Sequence, residues 1–71
     1  MLTGKSFRLN VAMFGIETID GKRNAVSVPA NEVVYVLSGP TPTDENMVHV
    51  EWKGRKLIMF ADDIRDRGDE V

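Results

Sequence analysis

The chain has 71 residues, a formal net charge of -2 and no cysteine, which excludes disulfides and thiolate metal sites together. Acidic and basic residues are interspersed, without the basic excess that a general phosphate-backbone binder needs. So short a chain draws only about 3–5 kcal/mol from its core, which predicts one domain over residues 1–71 and leaves an oligomer as the remaining source of support.

No apolar run approaches the ~18 residues of a membrane span. The opening Met1-Leu2-Thr3-Gly4-Lys5-Ser6 lacks the apolar stretch and cleavage site of a signal peptide. The expected location is the cytoplasm, with no membrane partner.

Residues 6–14 alternate, with Phe7, Leu9, Val11 and Met13 on one side and Arg8 and Asn10 on the other. A period of two predicts a half-buried strand, and the Phe14-Gly15 step after it predicts a bend or bulge. Asp20-Gly21 predicts a two-residue hairpin, because both central positions of a type I′ turn need positive φ. Taken literally, that turn sets Ile19 against Lys22, Gly15 against Val26 and Met13 against Val28; a longer, looser loop between Gly15 and Asn24 would serve the same topology. Pro29-Ala30-Asn31-Glu32 is a connector.

Val33 to Leu37 is uninterrupted apolar, the pattern of a strand covered on both faces or bent across a barrel. Residues 39–46, with two prolines and a glycine, form a loop. Met47 to Trp52 alternates, Lys53-Gly54 turns, and Arg55 to Phe60 returns. Setting Trp52 against Arg55 brings Val50 to Leu57 and Val48 to Met59. On the reverse face it brings Glu51 to Lys56, His49 to Ile58 and Met47 to Phe60. Residues 61–68 read as a short helical turn, with aspartates first, arginines last and Gly68 to end it. Asp69-Glu70-Val71 reads as a polar tail.

These elements predict an all-β fold: a small five-stranded barrel, closed to avoid exposed edges, with one short helical turn near the C-terminus. The order is similar to that of SH3-like barrels, in which a helical turn precedes the last strand. The second half also resembles a group of small bacterial proteins that share the pattern V-x-V-x-W-x-G-R-x-x-x-M-F. Val48, Val50, Trp52, Gly54, Arg55, Met59 and Phe60 carry it here, followed by Asp63, Ile64, Arg65, Arg67 and Gly68. No activity is attached to that group, so the resemblance implies a fold and no catalytic or cofactor residues.

Candidate chemistry is sparse. His49 is the lone histidine, so one chain holds neither a triad nor a histidine metal cluster. Only an oligomer axis could gather copies of it into an enzyme site, and otherwise it is a structural or surface residue. Asp62-Asp63 and Asp44-Glu45 fit helix capping and a solvated loop. Neither glycine-rich phosphate motif occurs, and Lys22-Arg23 fits a solvated turn. No cofactor is expected.

Trp52 with Lys53, Arg55 and Lys56 has the composition of a surface that stacks bases and holds phosphates. The packing alternative has Trp52 closing one end of the barrel beneath lysine and arginine stems. A second signal is surplus apolar side chain: Phe14, Val34, Val36, Met47, Ile58 and Phe60 fall opposite the main apolar stripe or in runs without a polar face. A patch of that size predicts self-association. The function expected from the sequence is therefore a non-enzymatic interaction module, a homo-oligomer that binds a protein or peptide. The alternative is a nucleic-acid binder using Trp52, Lys53, Arg55 and Lys56.

Overall fold

The structure, a computed structural model, describes residues 2–71. Seven strands and one helix follow in the order β1 (Ser6–Leu9), β2 (Met13–Ile19), β3 (Lys22–Val28), β4 (Val33–Ser38), β5 (Met47–Trp52), β6 (Arg55–Phe60), α1 (Ala61–Arg67) and β7 (Gly68–Glu70). They form a single antiparallel sheet in the order β3-β2-β6-β5-β4-β1-β7.

Turn chemistry fixes the two tight hairpins. Asp20 and Gly21 have φ of 51° and 78°, and Lys53 and Gly54 have 50° and 76°, the left-handed pairs that a type I′ turn demands. The registers expected from those turns hold along both hairpins. Met13 meets Val28, Gly15 meets Val26, Val50 meets Leu57 and Glu51 meets Lys56.

The all-β class is present, but the five-stranded closed barrel is not. The ladder is open, with β3 and β7 as its terminal strands. Two departures raise the strand number. The first alternating run breaks at residues 10–12, where the backbone leaves the ladder. Leu9 N donates to Glu32 O, Asn31 N donates to Leu9 O, and Asn10 N donates to Arg67 O, at 2.7–2.9 Å. β1 then stays with β4 and β7, while β2 departs to β3 and β6, and Val11 lies exposed between them. At the other end, the expected polar tail is β7, with Phe7 opposite Glu70 and Leu9 opposite Gly68.

Phe14-Gly15 makes no bulge; both residues keep register with β3. The glycine serves a close approach instead. A Cβ at Gly15 would lie 3.1 Å from Leu57 Cβ and 3.2 Å from Met59 Cγ, where β6 crosses β2. The bulge is in β4, between Val36 and Ser38, and it puts Leu37 outward.

One face of the sheet supplies the core: Phe7, Leu9, Met13, Val28, Val34, Val36, Val48, Val50, Trp52, Leu57 and Met59, joined by Leu2 and by Ala61 and Ile64 of α1. A seven-residue helix cannot cover six strands, yet Val28, Val34, Val36, Val48 and Val50 are fully buried. The sheet therefore coils until its own strands cover one another, as the twist of strands favours. Each such side chain contributes about 1.5–3 kcal/mol by leaving water.

Candidate interaction surfaces

Two places on the sheet collect the side chains that sequence reasoning singled out, one at an end of the core and one on its outer face.

At the end of the core, alternation along β5 sends Trp52 inward with Val48 and Val50, and the residue is 8% exposed. The indole Nε1 donates to Glu32 Oε1 at 3.0 Å, so its one polar atom is satisfied. Lys53 Nζ and the Arg55 guanidinium sit 5.4 and 5.7 Å from the ring centroid, within cation–π range. Neither cation is free. Lys53 pairs with Glu32 at 3.3 Å, and Arg55 makes a fork to Glu17, with bonds of 2.9 and 2.7 Å. The Arg55 bonds hold the Glu17 carboxyl below its usual range, against a smaller opposing push from burial. The Trp52 and Lys53 donors lower Glu32 in the same way, and the Glu17 bonds raise Arg55.

This geometry separates the four residues expected to form a base-stacking surface. Trp52 is a packing residue whose face is covered. Lys56 lies on the opposite side of the sheet, across from Glu51. Sequence reasoning missed Glu17 and Glu32. Glu17 shares the inward parity of Met13 and Gly15 on β2, and a carboxylate at such a position signals a partner of opposite charge.

The outer face carries the second group. Phe14 is 69% exposed on β2 and Phe60 is 52% exposed on β6, while Met47 and Ile58 are half-buried. Met47 faces Phe60, His49 faces Ile58, and Ile58 faces Ile16 across β6 and β2. Continuing that last register by two residues sets Phe14 opposite Phe60. Five apolar side chains on three adjacent strands thus share one side of the sheet. A shallow recess of about 240 Å³ lies beside them, lined by Ile16, Thr18, His49, Lys56, Leu57 and Ile58. Farther along the face the chemistry turns polar, at the Glu51–Lys56 pair.

Val34 and Val36 do not belong to this surface. Both are 0% exposed, because β4 alternates normally and sends them to the core while Val33 and Tyr35 point out. Their uninterrupted apolar run concealed the alternation. Ile16 was missed for the opposite reason: Gly15 looked like a break, although Ile16 keeps the parity of Phe14.

Elsewhere, an open cleft of about 510 Å³ lies between the 39–46 loop and α1, lined by Pro40, Thr41, Pro42, Asn46 and Arg65 among others. The Asp62 carboxylate in its wall accepts from Arg65 at 3.1 Å, and no side chain caps the helix. The capping role expected of Asp62-Asp63 is therefore absent. Among the described residues no three His, Cys, Asp or Glu side chains converge as metal ligands, and no helix is long and apolar enough to cross a membrane. The chain matches no family model, no curated protein and no solved structure.

Proposed function

We propose that the chain is a non-enzymatic interaction module that associates with a second copy of itself through the outer face of its sheet, around Phe14, Ile16, Met47, Ile58 and Phe60. One observation carries this reading. Two phenylalanines stand on adjacent strands of one face, more than half exposed, beside three half-buried aliphatic side chains. A soluble monomer seldom leaves such a cluster to water. A second copy suits the surface because the same face changes from apolar to charged along its length, with Glu51 and Lys56 available to meet their opposites.

We also propose that the fold is an open-sheet relative of the SH3-like small barrels and of the bacterial group that shares the Val48–Phe60 pattern. A long first hairpin, a three-stranded meander and a helical turn before the last strand support that placement. Protein or peptide binding then falls to the loops that the self-associated module presents, at a reducing cytoplasmic address.

The test is sedimentation velocity at high micromolar concentration on the wild type, on Ile58→Glu, and on a Phe14→Ser, Phe60→Ser double variant. Wild type should sediment as an oligomer, and the variants, folded by circular dichroism, should sediment as smaller species. A wild type that stays monomeric would remove the proposal.

A further inference from the structure

The two ends of the ladder differ. β7 has three residues, two of them acidic, and Glu70 is held by Lys5 at 3.6 Å. It is short and charged, as protected edges are. β3 is seven residues long, keeps register with β2 throughout, has no bulge, and meets its first proline only after Val28. Its outer side pairs with no strand among the described residues.

The hairpin dictates which backbone groups face outward. Residues flanking a two-residue turn form a hydrogen-bonded pair, and bonded and non-bonded pairs alternate from there. Ile19 and Lys22 flank the turn, so the pairs with Asn24, Val26 and Val28 are also bonded to β2. Arg23, Ala25 and Ser27 therefore direct their N–H and C=O groups to the open edge. Their side chains are exposed.

We propose that two copies of the chain pair antiparallel along β3, about a two-fold axis at Ala25. This deepens, and rests on, the reading of the chain as self-associating. In that register Ala25 faces Ala25 of the second copy, and Arg23 faces Ser27. Every outward N–H and C=O of the three residues is then used. The cations Lys22 and Arg23 lie at one end of the strand, so the antiparallel arrangement sets the two copies' charges at opposite ends. The smallest side chain sits at the dyad, where two copies of one residue meet. The pairing also aligns Ile58, Ile16 and Ala25 of one copy with the same residues of the other in a single outer row. With the outer-face contact present as well, each chain has two isologous contacts, and the assembly grows beyond a dimer.

The experiment compares Ala25→Lys, Ala25→Glu and Ala25→Pro by sedimentation velocity, alone and with the first two mixed in equal amounts. Proline is suited to this position because Ala25 gives no hydrogen bond to β2, so only the outward donor is lost. Each variant should sediment as a smaller species than wild type, and the Lys/Glu mixture should regain the wild-type size, because only this register sets residue 25 against itself. Retention of wild-type size by both charged variants would overturn the pairing, as would a mixture that stays small. The Phe14→Ser, Phe60→Ser variant in the same runs separates the two contacts. If it shrinks while the Ala25 variants do not, edge pairing falls and the outer-face reading stands. If the Ala25 variants shrink and it does not, edge pairing stands alone. Melting curves of all the variants confirm that size is read on folded chains.

Discussion

Around Trp52, two carboxylates and two cations close the end of the core, and among the described residues no buried side-chain polar atom is left unpaired. Glu17 and Glu32 both have lowered pKa values in the folded chain, through hydrogen bonds from Arg55 and from Trp52 with Lys53 respectively. For a carboxylate depressed on folding, the stability gained is present above its unfolded value and lost as pH falls through the folded one. Urea midpoints should therefore decline once pH drops below the ordinary glutamate value of about 4.3, and a Glu17→Gln, Glu32→Gln double variant should be less stable at neutral pH with a flatter acid limb. An unchanged acid limb would show that the pairs carry no such linkage. The Lys53 side chain is largely exposed and the Arg55 side chain nearly half so, and the effect of both pairs should therefore shrink in high salt.

Among the elements, α1 and β7 meet closely at Gly68. Gly68 ends the helix with its N–H on Ile64 O, but in extended rather than left-handed conformation. Its lack of a side chain answers a close approach: a Cβ there would lie 2.7 Å from Ile64 O and 3.4 Å from Phe7 Cβ. Gly68→Ala must shift backbone, and overpacking of this kind costs about 1–3 kcal/mol; a thermal melt equal to wild type would contradict it. Gly21→Ala is the useful contrast, because open space surrounds that position and its cost comes from a φ of +78° alone. Both hairpins were legible in the sequence, since Asp20-Gly21 and Lys53-Gly54 fix a local geometry that then sets the register of a dozen residues. The break after Leu9 and the β7 strand were not legible. Each depends on backbone hydrogen bonds to distant residues (Glu32, Asn31, Arg67 and Phe7), and alternation carries no information about those. Val34 and Val36 were misplaced because an all-apolar run hides which parity faces in.

At the scale of the whole molecule, one side of a coiled sheet is filled and the other is unfinished. The inner side buries Leu9, Val28, Leu57, Met59 and Ile64 almost completely, so truncating Leu57 to alanine should cost about 2–5 kcal/mol. The outer side holds Phe14 and Phe60 in water. A dimer interface of ordinary size takes ~800 Å² from each partner, about a sixth of the 4636 Å² that this chain exposes. The outer face was largely legible from sequence: Phe14, Met47, Ile58 and Phe60 were found by parity, and Ile16, which shares the parity of Phe14, was hidden because Gly15 read as a break. Isotope-filtered NOE spectroscopy on a mixture of labelled and unlabelled wild-type chain at high micromolar concentration reads that face most directly. Intermolecular cross-peaks between the Phe14 or Phe60 ring and the Ile16 or Ile58 methyls are the predicted result. A sample that tumbles as a monomer, with no intermolecular peak to any of these four residues, would contradict it.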